Sequence, residues 1–115
     1  MSENEELIFG LKMWINKGIS YLGEASPEDF FNDDKSFDAC SYCLVVISDI
    51  AKEISKKEEI TKTYEELNFE ELGNVYNSIF SGSNINLSMV YELFKEGFPL
   101  LLKVLESKEL PFANK

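Results

Sequence analysis

The chain reads as an all-α protein, an up-and-down bundle of four or five helices forming one domain over residues 1–115. Three observations predict this. Apolar residues recur at three- and four-residue steps through long runs, no segment alternates with period two for long enough to argue a sheet, and capping or breaking residues separate the runs. With 44% apolar residues, including nine Phe, five Tyr and one Trp, a chain of this length can bury one packed core.

Leu7, Leu11, Trp14, Gly18 and Leu22, widened by Ile8, Ile15 and Ile19, form an amphipathic stripe that predicts a helix from about Asn4 to Leu22, with Gly23 as its stop. Ser26-Pro27-Glu28-Asp29 starts a second, short helix: Ser caps, Pro fits the first turn, and the acids face the positive end of the dipole. Phe37, Cys40, Leu44, Ile47, Ala51 and Ile54 then follow a regular helical spacing, with Cys43, Val46 and Ile50 as an adjacent stripe. Asp33 or Asp34 caps this helix and Ser55-Lys56-Lys57 closes it. Two apolar faces predict a central helix that packs on its own bundle with one side and offers the other to a second subunit.

Residues 56–66 are charged and weakly periodic, and read as a connection with one helical turn. Asn68-x-x-Glu71 is a capping pair that opens a helix through Leu72, Val75, Tyr76, Ile79 and Phe80, with Ser81-Gly82-Ser83-Asn84 as its stop. The last helix starts at Asn86, so the sequon Asn86-Leu87-Ser88 reads as a helix start. It carries Leu87, Val90, Leu93, Phe94, Leu101, Leu102 and Leu105, and Pro99 predicts a kink near residues 95–98.

Composition narrows the chemistry. The chain has no His and no Arg; its 11 basic residues are all lysine, against 21 Asp and Glu. A Ser–His or Cys–His nucleophile, a His-ligated metal and a His proton relay are therefore excluded, as is bidentate Arg recognition of phosphate. A net charge of −10 disfavours tight binding to nucleic acid, which depends on cationic side chains displacing counterions. The acidic N-terminal stretch and short apolar runs give neither a secretory signal nor a membrane span, so the expectation is a cytoplasmic protein with no membrane contact. Cys40 and Cys43 form a C-x-x-C inside a helical pattern. With no second pair or His to complete a metal site, they read as two small core residues one helical turn apart.

Five segments in order resemble a known family: residues 26–30 (Ser-Pro-Glu-Asp-Phe), residues 33–39, residues 46–55, Glu71-Leu72-Gly73, and Phe98-Pro99-Leu100. Across roughly Leu7 to Leu110 they are similar to the HepT-like HEPN proteins. The resemblance implies a helical bundle that forms a homodimer, commonly the toxin partner of a small MNT-type nucleotidyltransferase antitoxin. Active members of that family are metal-independent ribonucleases. Their motif is Arg, a polar residue that is often Asn, several variable residues, then His, with a Tyr two residues later that the antitoxin modifies in some systems. Arg stabilises charge developing on the scissile phosphate, and His handles the proton of the attacking or leaving oxygen.

Alignment on Gly73 puts Val75 at the Arg position, Tyr76 at the polar position, Phe80 at the His and Gly82 at the modified Tyr, so all four are substituted. Sliding the frame by one places Asn77 at the polar position but leaves Tyr76 for Arg and Ser81 for His. No register restores the motif in a chain without Arg or His. The expectation is a family member that has lost ribonuclease activity, with no catalytic residue, cofactor or metal, acting through protein–protein contacts and partnered by a nucleotidyltransferase-type protein. Val75 and Phe80 fit two readings: a former polar cleft that became a dry interface, or ordinary helix-facing core.

Two rival readings keep catalysis. One is RNA cleavage by non-standard residues. The other is Mg²⁺-dependent nucleotide hydrolysis through Glu65, Glu66, Glu70 and Glu71, or through Asp49 and Glu53 at i, i+4, although the usual repeated acidic motif is lacking. Lys52, Lys56 and Lys57 cluster where a helix dipole is compensated.

Overall fold

The structure, a computed structural model, describes residues 1–80 and 86–110. Among these residues every regular element is helical. Helix α1 spans Glu3–Leu22, α2 Pro27–Phe31, α3 Asp34–Ile54, α4 Glu58–Thr63, α5 Phe69–Gly73, α6 Val75–Ile79 and α7 Leu87–Glu92. A π-helical turn over Leu93–Gly97 joins α7 to α8, Phe98–Glu106.

Helix α1 begins in a reciprocal capping box: the Glu5 N–H donates to Ser2 Oγ at 3.2 Å and the Ser2 N–H donates to Glu5 Oε1 at 2.9 Å. It ends at Gly23, whose φ of 58° lies in the left-handed region that suits glycine. For α3 the structure selects Asp33 over Asp34 as the cap. Asp33 Oδ1 accepts the N–H groups of Lys35 and Ser36, and Oδ2 accepts the Ser36 hydroxyl at 2.8 Å.

The two long helices run antiparallel. Gly10 of α1 faces Ile50 of α3, the Gly18 carbonyl accepts the Cys40 thiol at 3.5 Å, and the Lys57 ammonium meets Glu3 at 2.8 Å just past the end of α3. Leu44, Ile47, Ala51 and Ile54 of the α3 stripe are fully buried. Each large aliphatic side chain among them stabilises the fold by roughly 2 kcal/mol through area removed from water. The second stripe splits: Cys43 is buried, while Val46 and Ile50 are half-covered.

Helices α5 and α6 return antiparallel to α3, with Gly73 beside Lys52, Tyr76 beside Ser48 and Phe80 beside Phe37. The single helix expected from Asn68 to Phe80 is therefore two short ones, broken at Asn74. Close packing accounts for the break. A Cβ on Gly73 would lie 2.7 Å from Lys52 Cγ and 3.2 Å from the Lys52 backbone nitrogen, so α5 is drawn onto α3 backbone to backbone and the chain must restart to continue along it. The expected stop at residues 81–84 lies outside the described residues.

The last helix runs antiparallel to α1, with Phe94 packed over Gly18, and so completes a helical bundle. Its expected kink takes the form of the π turn. Pro99 has no N–H and its ring crowds the carbonyl four residues back; the widened turn relieves this, and the Phe98 N–H bonds to the Leu93 carbonyl.

The segment 56–66 is more than a connection. Ile60 and Tyr64 are buried, and the Tyr64 hydroxyl lies 3.1 Å from both the Leu105 and Lys108 carbonyls, to which it donates. It thereby ties α4 to the end of α8. Among the described residues, no helix is long and apolar enough to cross a membrane.

Candidate functional site

Helix α6 carries Val75 and Tyr76, with Phe80 as its C-cap, and its start is held by a neighbouring helix. Asn74 precedes it but makes no side-chain cap. Instead the Tyr76 N–H donates at 3.2 Å to Ser48 Oγ, which comes from the neighbouring α3. Ser48, 2% exposed, is the one buried polar residue of the described core. A tertiary hydroxyl thus replaces the local cap, satisfying a donor that the helix itself cannot.

From this fixed start, Val75 and Phe80 diverge. Phe80 stacks on Tyr76 with ring centroids 4.5 Å apart and tilts against Phe37 at 6.3 Å. Phe37 continues to Phe30, and Phe30 to Tyr91 at 5.7 Å, so the rings form one ladder linking α6, α3, α2 and α7. Val75 instead lines a groove of about 420 Å³ between α5–α6 and α7–α8, shared with Leu67, Leu72, Met89, Leu93 and Leu101. Both Val75 and Phe80 are half-buried and rest on their own chain's core. Gly82 lies outside the described residues.

Glu66 and Glu71 stand on the groove's rim. The Lys108 ammonium meets Glu66 at 2.8 Å, and its hydrogen bond holds the Glu66 carboxyl below the usual carboxylate range. Glu65 and Glu70 line the adjoining hollow with Glu66. Among the described residues no lysine pairs with Glu65, Glu70 or Glu71, and no three acidic or thiol groups converge on a point that could hold a metal ion. Asp49 and Glu53 lie exposed on α3, with Glu53 paired to Lys56 at 3.1 Å.

The remaining candidates are structural. Cys40 and Cys43 are free thiols within the core. Burial, with a smaller contribution from Cys43, pushes the Cys40 thiol up to about 12, and burial raises Cys43 as well, which is opposite to what a redox nucleophile requires. The Lys52 stem packs on Gly73, while Lys56 and Lys57 are engaged by Glu53 and Glu3. The described lining offers apolar contact and negative charge.

Ser48, Met89 and the groove went unseen in the sequence. Leu93 and Leu101 were visible as one stripe of the last helix, but the π turn decides that they face α5–α6 across a gap. Compared with known proteins, the chain matches no family model, no curated protein and no solved structure.

Proposed function

We propose that this protein is a HepT-like HEPN protein that has lost ribonuclease chemistry and acts by binding other proteins, as a homodimer and with a nucleotidyltransferase-type partner in a system of the toxin–antitoxin kind. One observation carries the reading: five family-like segments occur in order, yet Val75, Tyr76, Phe80 and Gly82 occupy the motif positions in a chain with neither Arg nor His. The half-buried, apolar setting of Val75 and Phe80 supports it, because a cleft for scissile phosphate would leave polar groups there, not a side chain lining an apolar groove and a ring in an aromatic ladder. The acidic surface supports it too, since net charge of −10 repels a polyanionic substrate.

Light scattering at micromolar concentration tests the assembly. The expected mass is about twice the 13.2 kDa of one chain; a clean monomer contradicts the homodimer. Co-purification with a small nucleotidyltransferase encoded beside it tests the partner. A stable complex supports the assignment, and two proteins that elute apart at micromolar concentration contradict it.

A further inference from the structure

We infer that the groove between α5–α6 and α7–α8 is a docking site for an amphipathic, lysine- or arginine-rich helix of a partner protein. The inference rests on the protein-binding reading above and gives that partner a chemistry. The floor and walls supply apolar contacts from Leu72, Val75, Met89, Leu93 and Leu101. The rim supplies charge of one sign: Glu66 and Glu71 border the groove, and Glu65 and Glu70 extend the acidic border into the adjoining hollow. Among the described residues, the only one of these four carboxylates paired with a lysine is Glu66, by Lys108.

Charge complementarity selects the occupant. The homodimer proposed above would use another face, because a second copy seated in this groove sets a chain with 21 Asp and Glu and 11 Lys against an acidic rim, whereas a basic helix brings the opposite sign together with an apolar stripe. The length fits as well. Helices α5 and α6 are five residues each, roughly 15 Å of wall at 1.5 Å per residue, which accommodates anchors at i, i+3 or i+4, and i+7. Both walls are helices, so a helix laid between them continues the layer by side-chain packing and needs no free strand edge.

The test uses the full chain and a fluorescently labelled 18-residue peptide of Leu and Lys, with Leu spaced at i, i+3, i+4 and i+7, followed by anisotropy. A peptide of the same apolar pattern with Glu for Lys serves as control. The Lys peptide is expected to bind, at least tenfold more tightly than the Glu peptide, and to weaken several-fold as salt is raised. Val75→Asp is the deciding variant, because it makes the protein more acidic while spoiling the groove. Docking in the groove predicts binding at least tenfold weaker, whereas attraction to the acidic surface at large predicts binding equal to or tighter than wild type, which overturns the inference. Leu101→Gln, on the opposite wall, repeats the test should Val75→Asp not fold by circular dichroism. Tyr42→Asp, at a residue 61% exposed that packs on Trp14 of α1 and does not line the groove, is expected to leave binding unchanged; an equal loss there places the peptide elsewhere. If Val75→Asp converts a dimer to a monomer in light scattering, a second copy occupies the groove and the inference fails. A failed peptide experiment leaves the loss of ribonuclease chemistry standing, since RNA cleavage is assayed separately.

Discussion

The α1–α3 half and the α5–α8 half of the bundle are built by different means. Helices α1 and α3 are 20 and 21 residues long and meet through continuous stripes ending in Leu22 and Ile54. Across the bundle, α5, α6 and α7 are five or six residues each, and the last helix is interrupted by a π turn. Short helices gain little from propensity alone and depend on tertiary contacts: Ser48 holds the start of α6, and Tyr64 holds the end of α8. The long pair thus acts as a scaffold, and the broken side, where α6 and the groove lie, is shaped by what the scaffold presents to it.

Substitution at Gly18 should break this arrangement most severely. A Cβ there would meet the buried Phe94 ring, lying 2.6 Å from its Cδ1 atom, so Gly18→Val displaces the last helix from α1. A loss of roughly 3 kcal/mol is expected, or about 10 °C or more in melting temperature. Gly10→Ala gives the contrast inside the same helix. Its Cβ would meet Ile50 Cδ1 at an ordinary 3.5 Å, so the gain in helix propensity, up to about 1 kcal/mol, leaves stability unchanged or higher. Equal melting temperatures for Gly18→Val and wild type would show that Phe94 does not clamp the two halves together.

Ser48→Ala probes the dependence of α6 on the scaffold. It removes no apolar contact yet leaves the Tyr76 N–H without its partner, at a cost of about 1–2 kcal/mol in urea unfolding. Amide exchange should accelerate at Tyr76 and its neighbours in α6 while α1 keeps its protection. Uniform acceleration across both halves would mean that α6 does not depend on this hydroxyl.

The smallest effect near neutral pH belongs to the thiols of the scaffold. Because burial raises Cys40 to about 12, the folded state holds its proton more tightly than the unfolded chain does. The resulting stability is fully present below the unfolded thiol's ordinary value of about 9. It is lost as pH rises from there through the folded value. Iodoacetamide at pH 8 should therefore label Cys40 and Cys43 slowly in the native protein and quickly in urea. Rapid native labelling would place the pair at an accessible site and revive a redox role.

The same contrast explains what could be read in advance. The extents of α1 and α3, the short α2 at Pro27 and the capping role of Asn68 follow from local spacing and capping chemistry, which sequence carries directly. The break at Asn74 and the burial of Ile60 and Tyr64 were missed for a common reason: each depends on a contact distant in the chain, such as Gly73 against Lys52 or Tyr64 against Leu105. Pro99 announced a disturbance but not its form. At the candidate site, the identities of Val75 and Phe80 were legible, whereas their divergence onto a groove and an aromatic ladder required the orientation of α6, set by Ser48.

We propose that this helical bundle lacks ribonuclease chemistry and works through contact. The most direct measurement is incubation of highly purified protein with total cellular RNA, with and without Mg²⁺, beside an unfolded-protein control prepared identically. The RNA is expected to stay intact in both conditions. Cleavage above that control would contradict it, because catalysis would then operate without Arg or His.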